Sequence, residues 1–274
     1  MTPDSYTGRE IDSKTPSAAR MYHLYLTGEA VFDADRVFGD QVFELFPHAH
    51  TWAHHNRAFL ARSVHFMANQ GIQQFLDVGS GLPTGGNTHE VARKIAADAR
   101  VVYVDNDLEA VTRAYELLDR ANTLDITAII EADLRDPTRI FEHPDTQRLI
   151  NLGEPIGLLL VSVLPFISDS SRPLEVLARL REYLPSGSYI AMTHVSVDEA
   201  TTKIREQLGA AAALYDNTSD PATLRSRAQF TEFFDGFNLV DPGITYAPDW
   251  RPDEPVNTED PARPCNFAAI GYKP

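Results

Sequence analysis

The chain has one cysteine, Cys265, in 274 residues. Without a partner it can form neither an internal disulfide nor a thiolate metal cluster, which points to a reducing, cytoplasmic setting. It lies in a proline-rich stretch with no activating neighbour, so it reads as a structural residue. Long apolar runs are missing as well: no window approaches the roughly 18 consecutive apolar residues of a membrane span. Met1 to Lys14 is polar and carries Asp4, Glu10 and Asp12, unlike the basic start and apolar middle of a secretory signal. Positive charge is scarce, with 24 Lys and Arg against 39 Asp and Glu and a formal net charge of −15. Such a surface repels phosphate backbones and anionic membranes, so the expected partner is a small molecule rather than nucleic acid or lipid. No internal repeat occurs, which removes solenoids and propellers.

What is present is ample material for a core, 43% hydrophobic residues, arranged in two patterns. From Ser17 to Gln70 the apolar residues recur at helical spacing in three stretches. The first is Met21, Tyr22, Tyr25 and Leu26, the second runs from Val37 to Phe46, and the third from Phe59 to Met67. From Ile72 onward short apolar runs alternate with helical stretches. Strands are predicted at Gln74–Val78, Val101–Val104, Thr127–Glu131, Ile156–Val163 and Tyr189–Thr193, with two terminal strands near Leu239–Tyr246 and Phe267–Tyr272. Helices are predicted at Thr88–Ala97, Glu109–Arg120, Leu174–Tyr183, Asp198–Leu214 and Thr223–Phe234. Asn87 and Glu90 have the spacing of a capping box for the first of these.

This alternation predicts an α/β fold, a mostly parallel seven-stranded sheet with helices on both faces. An N-terminal helical cap over residues 1–70 precedes a Rossmann-like ligand-binding domain over residues 71–274. The long Pro- and Asp-rich connection from Pro248 to Pro264 is expected to be exposed, at a substrate entrance.

The most informative run is Phe75-Leu76-Asp77-Val78-Gly79-Ser80-Gly81-Leu82-Pro83-Thr84, a strand running into glycines. Glycines let a backbone approach a ligand closely, and open α/β sheets bind ligands beyond the carboxyl ends of their strands. The next two strands also end in acids. Asp105 is positioned to accept both hydroxyls of a ribose, and Asp133 falls where an adenine edge would lie. A dinucleotide site shares these features, but its fingerprint needs a third glycine where this chain has Thr84. Asp77 would also oppose a pyrophosphate. A cationic sulfonium gains from the same carboxylates, which favours S-adenosylmethionine over NAD.

These residues resemble the class I methyltransferases. More closely, they resemble the actinobacterial S-adenosyl methyltransferase family once catalogued as a domain of unknown function. The likeness rests on the Gly71 to Thr84 run, on Asn87 with His89-Glu90-Val91-Ala92, and on Arg100 to Asp107. Asn56-Arg57-Ala58-Phe59-Leu60, Ser17 to Tyr22, Thr193-His194 and Trp250-Arg251-Pro252 fit as well. The resemblance implies a class I, Rossmann-like fold and S-adenosylmethionine as cofactor. It implies contacts to the methionine end from Asp77, Gly79, Ser80 and Gly81, with Ser162 and Val163 lining that side. Asp105 and Asn106 would hold the ribose, and Asp133 with Leu134 the adenine. It also implies a helical segment folding over the cofactor. In that segment the chain departs from the family pattern, with His23, Thr27, Glu29 and Val31 standing where the family has Asp, Gly, Lys and Asn. Pro165 likewise stands where many relatives carry a histidine.

Methyl transfer to a good nucleophile needs mainly proximity and alignment, and a general base helps for phenols, hydroxyls or protonated nitrogens. His194, just past a strand's carboxyl end, and Tyr22 and His23 on the capping helix are the candidates for that role. Arg57 either pairs with a carboxylate of the cofactor or substrate, or ties the cap to the sheet. The cluster His48, His50, His54 and His55 lacks the accompanying acids or cysteines of a metal site, so no metal is expected. The leading expectation is an S-adenosylmethionine-dependent methyltransferase acting on a small molecule. The alternatives are a lyase or cyclase consuming the cofactor, or a non-catalytic cofactor-binding regulator.

Overall fold

Three helices open the chain, α1 (Ala18–Thr27), α2 (Asp33–Leu45) and α3 (Ala49–Asn69). The structure, a computed structural model, describes residues 10–274, so Asp4 lies outside the described residues. Ser17 caps α1 through its side chain, and Gly28 ends it in a left-handed turn. Along α3 the buried residues Ala53, Asn56, Phe59, Leu60, Ser63, Val64 and Met67 recur every three or four positions, one continuous stripe that faces the protein.

Strand β1 (Gln74–Val78) then leads through α4 (Thr88–Ala92) to β2 (Arg100–Asp105), and α5 (Leu108–Arg120) leads to β3 (Thr127–Glu131). Two short helices, α6 (Pro137–Phe141) and α7 (Pro144–Leu149), precede β4 (Gly157–Leu160). Helix α8 (Pro173–Tyr183) connects to β5 (Tyr189–Val195). After α9 (Thr202–Leu214) and α10 (Arg227–Glu232) come β6 (Asn238–Leu239), β7 (Thr245–Tyr246) and β8 (Asn266–Tyr272). Strands β1 to β5 are parallel in the order β3-β2-β1-β4-β5, and β8 adds antiparallel beside β5. The chain leaves β1 in one direction across the sheet and returns beside it as β4. The tips of β1 and β4 therefore flank a topological switch point, where a crevice opens.

The sheet has eight strands rather than seven. The run expected as one strand, Leu239–Tyr246, is split by the Pro242-Gly243 turn into β6 and β7, each pairing separately with β8. Other boundaries shift for local reasons. Helix α4 stops at Ala92 because the next amides, Lys94 and Ile95, bond three residues back and tighten the chain into turns. Strand β4 stops at Leu160 because Ser162 turns to φ +64. Helix α10 starts only at Arg227, behind a Ser226–Gln229 capping box. The unpredicted α6 and α7 each begin with proline behind a side-chain cap, Asp136 and His143.

The two faces of the sheet carry separate cores, one around Phe141, Leu180 and Phe230, the other around Phe59, Phe75 and Trp250. A third core joins α1 and α2 to α9, with Met21, Leu24, Phe46, Ile204 and Leu208 among its members. Cys265 is buried in that core, and burial pushes its thiol up to about 12. Trp250 is fully buried between Phe59 and Phe66, and Arg62 holds the strap by donating to the carbonyls of Ala247 and Trp250 at 2.7 and 2.9 Å. The connection from 248 to 264 thus braces the outer side of α3. Its residues 251–259 are mostly exposed, as expected, but no residue of it lines the main cavity described below, so the expected substrate entrance is not there.

The cap contains a buried ion pair, Arg20 Nε to Asp35 at 3.1 Å, with side chains 3% and 0% exposed. Arg20 also donates to the carbonyls of Asp12 and Thr15, and Asp35 accepts the amide of Phe32. Burial raises the Asp35 carboxyl even against the pull of Arg20. Arg20→Met is expected to destabilise the protein by about 3–5 kcal/mol by stranding a buried carboxylate, and Arg20→Met with Asp35→Leu should recover much of that loss. Urea denaturation of the single and double variants measures both.

Candidate functional site

Beyond the tips of β1, β2 and β4, beneath α1 and α3, lies a cavity of about 410 Å³, within the roughly 300–1,000 Å³ typical of small-molecule sites. Strand β1 delivers Asp77 to its floor. The Thr88 hydroxyl donates to Asp77 at 2.6 Å, and burial raises this carboxyl against the opposing influence of Thr88 and Arg57. The chain then turns at Gly79, with φ +73. A Cβ there would lie 2.5 Å from Val163 Cγ2, so only glycine lets the β1 and β4 tips close on each other. Gly81, at φ +66, faces open space.

Strand β2 ends in Asp105, which is 5% exposed. One of its oxygens accepts the amide of Gly81 at 2.7 Å and the other that of Asp107 at 2.9 Å. Burial pushes this carboxyl up to about 7, although both amides favour its charged form. Asp107 caps α5 through the amides of Glu109 and Ala110 and accepts the hydroxyl of Ser17. Asp133, beyond β3, is paired with Arg135. Burial raises its carboxyl, but the hydrogen bonds from Arg135 outweigh this and hold it below its ordinary value. Asp220 reaches in from the loop after α9 and accepts the first amide of α1, Ala18, at 3.0 Å. Five carboxylates therefore meet two guanidinium groups, Arg57 and Arg135, around the cavity.

At the β4 tip Ser162 adopts φ +64, uncommon outside glycine and a mark of functional turns. Its amide is held at 2.8 Å by the hydroxyl of Thr193 on β5. That hydroxyl donates at 2.7 Å to Asn56 Oδ1, which also accepts from Asn266 Nδ2 at 2.9 Å. Asn56 Nδ2 donates at 2.9 Å to the hydroxyl of Tyr22. One fully buried amide on α3 thus joins the capping helix, β5, β8 and the strained β4 turn.

All eleven residues expected around the cofactor line this cavity: Asp77, Gly79, Ser80, Gly81, Asp105, Asn106, Asp133, Leu134, Ser162, Val163 and Arg57. Arg57 does tie the cap to the β1–α4 loop, donating from Nη2 to the carbonyls of Gly85 and Gly86 at 3.3 and 3.2 Å. Its Nε is buried without a partner among the described residues, as are Ser80 Oγ and Trp52 Nε1.

The three candidate bases separate. Tyr22 lines the cavity, but burial pushes its phenol up to about 12. His23 does not line the cavity, and burial lowers it with a further contribution from the charge of Arg113. His194 is displaced as well. Strand β5 continues to Val195, so its pleat turns Thr193 toward α3 and His194 to the opposite face. There its Nε2 accepts from Arg225 Nη1 at 2.9 Å, and its Nδ1–H donates to the carbonyl of Val195 at 2.8 Å. Burial pushes it down to about 3. It is a neutral core histidine, not a wall of the cavity.

Asn56, Asp107, Asp220 and the aromatic residues Tyr25, Trp52, Phe166 and Tyr215 also line the site, although none of them was expected to contact a ligand. Asn56 had a signal: a polar residue in the middle of the apolar stripe of α3. Asp220 and Tyr215 had none, because only the packing of α9 against the cap brings them near β2. Among the described residues no three His, Cys, Asp or Glu side chains converge as metal ligands, and no helix is long and apolar enough to cross a membrane. His55 of the histidine cluster contacts Asp260 at 3.1 Å instead.

Comparison with known proteins bears on the family and the fold. The S-adenosyl methyltransferase family matches residues 4–274. A methyltransferase candidate from Thermobifida fusca is 38% identical, covers 96% of each chain and superposes with a TM-score of 0.87. A DUF574 family protein from Streptomyces avermitilis is 34% identical over 97% of this chain and 100% of its own, with a TM-score of 0.90. The S-adenosylmethionine-dependent methyltransferase SibL shares only 16% identity, over 99% of this chain and 65% of its own, and with a TM-score of 0.52 it agrees in fold. No curated protein matches the chain. With a family match over nearly its whole length and two relatives above 30% identity, this chain belongs to the S-adenosyl methyltransferase family.

Proposed function

We propose that this protein transfers a methyl group from S-adenosylmethionine to a small molecule held beneath the helical cap. The observation that carries this reading is the polarity of the cavity, with acids gathered at the strand tips and aromatic rings at the cap end. When bound, S-adenosylmethionine supplies a methyl group on a cationic sulfonium, and a carboxylate-rich floor favours such a ligand over a pyrophosphate. The chain's own groups fit its parts. Asp105 would accept ribose hydroxyls with the lone pairs that the amides of Gly81 and Asp107 leave free, and Asp133, Asn106 and Leu134 would border the adenine. Arg57 Nε and Ser80 Oγ, both buried without partners, suit the carboxylate and ammonium of the amino-acid end. The main tasks of the protein are orientation and exclusion of water, which suffice for a good nucleophile. The lyase and regulator readings have no observation in their favour.

Calorimetry tests the cofactor class. S-adenosylmethionine is expected to bind and NAD not to, and NAD binding alone would overturn the proposal. Asp105→Ala should weaken S-adenosylmethionine binding by about 1.5–3 kcal/mol through loss of a charged acceptor, and unchanged affinity would remove Asp105 from the site.

The same carboxyl sets a pH dependence. Its ordinary value is 3.8 and burial brings it to about 7 in the free protein. Below that value it is neutral, and above it the carboxylate attracts the cation and accepts hydroxyls. Cofactor affinity should therefore rise between about pH 6 and pH 8 with release of a proton, and the rise should vanish in Asp105→Ala. Titrations in two buffers of different ionisation enthalpy read both effects.

A further inference from the structure

The cap end of the cavity differs in kind from the strand-tip end. Tyr22, Tyr25, Trp52, Phe166 and Tyr215 line it, and among the described residues no histidine, lysine, cysteine or glutamate reaches the cavity wall. The lining carboxylates all accept hydrogen bonds within the protein, and four of the five stand at the strand-tip end. Asp77 holds Thr88, Asp105 and Asp107 hold backbone amides, Asp133 holds Arg135, and Asp220 holds Ala18 and Ser219. The phenols of Tyr25 and Tyr215 bond each other at 2.7 Å and are both raised by burial. Among the described residues the aromatic wall of the cap end therefore offers no histidine, lysine, cysteine or glutamate as a base and no phenol that ionises near neutral pH, and of the lining acids only Asp220 stands outside the strand tips.

That restricts the acceptor. An alkylamine, like the lysine side chain, and a phenol, like tyrosine, are both protonated at neutral pH and would need a base. A phenolate or thiolate would meet five carboxylates against two guanidinium groups. An aryl amine shares its lone pair with the ring and is therefore so weak a base that it stays unprotonated and uncharged at neutral pH, and it can attack without a base to deprotonate it first.

A second feature adds to this. Beside the cap end lies a smaller chamber of about 60 Å³, sharing Tyr25, Trp52, Ser162, Phe166 and Tyr215 with the main cavity. Its remaining walls are apolar, including Val42 of α2 and Phe46 just after it, Leu208 and Ala212 of α9, and Leu224. A volume near that of two waters, with so few polar partners, favours a branch of about two or three carbons over water. Trp52 Nε1, buried and unpartnered, offers a donor where the two spaces meet.

Building on the methyl-transfer reading, we propose that the acceptor is a largely apolar aromatic molecule that presents an uncharged ring-conjugated nitrogen and seats a short alkyl branch in the chamber between α2, α3 and α9. The nitrogen lone pair forms the new N–C bond as the S–C bond breaks, and the bonding pair stays on sulfur as a thioether. For an aryl amine, the proton then carried by the methylated nitrogen passes to water after release.

The test uses the full chain and four probes: 4-isopropylaniline, aniline, 4-isopropylphenol and 4-isopropylbenzylamine. Calorimetry first establishes whether S-adenosylmethionine binds, and absence of binding would overturn the methyl-transfer reading itself. With binding established, the proposal expects S-adenosylhomocysteine release with 4-isopropylaniline at least tenfold faster than with the phenol or the benzylamine. It also expects calorimetric affinity for 4-isopropylaniline at least fivefold above that for aniline. Ala212→Leu, which fills the chamber, should abolish that preference, and Leu224→Ala should shift it toward a larger alkyl branch, with S-adenosylmethionine affinity as the control for folding. Faster turnover of the phenol or the benzylamine, no turnover of any probe by cofactor-bound protein, or an alkyl preference indifferent to both variants would overturn the proposal.

Discussion

The side-chain amide of Asn56 is the contact on which the rest of the site depends. It is fully buried, and it connects the hydroxyl of Tyr22 on the cap to Thr193 on β5 and Asn266 on β8. Through Thr193 it reaches the amide of Ser162, the residue that turns the β4 tip into the cavity. A buried polar group left unpaired is costly, so an amide with this many partners admits few arrangements of its neighbours. The roof and floor of the cavity are thereby held in register by one residue of α3.

The electrostatics of the floor follow a related logic. Burial strips hydration from Asp105, repulsion from Asp107 and Asp220 adds to this, and its carboxyl moves to about 7. The fold offsets part of this with backbone amides from the β1 turn and the start of α5. In the proposed methyl-transfer reading, a bound cation would complete the compensation. The cavity thus has an acidic end at the strand tips and a largely aromatic end under the cap.

Much of the architecture was legible because period and punctuation are local. The five parallel strands follow from apolar runs bounded by glycine, asparagine and proline, and β1 and β3 agree with their expected bounds residue for residue. The acids Asp77, Asp105 and Asp133 were legible for the same reason: a residue at a strand's end lies at the rim of the sheet wherever the strand is placed. Boundaries that depended on long-range partners were missed. Strand β4 ends early because Ser162 bonds to Thr193, thirty-one residues away, and the last helix starts late because the residues before it extend along the β4 loop, where Thr223 bonds to Pro165.

His194 marks the limit most clearly. Its position after an apolar run suggested a pocket residue, yet two more residues of strand and the alternation of the pleat turn it into the core beside Arg225. Composition, charge and local motif were enough to determine the fold class, the edge of the sheet where the cavity opens and the acids along it, since each rests on near neighbours in the chain. Tertiary structure alone decided which face His194 and His23 present. It also decided that Asp220 and Tyr215 join the site, and that an apolar chamber adjoins it, because those facts depend on how α9 packs against α1 and α2, helices far away along the chain.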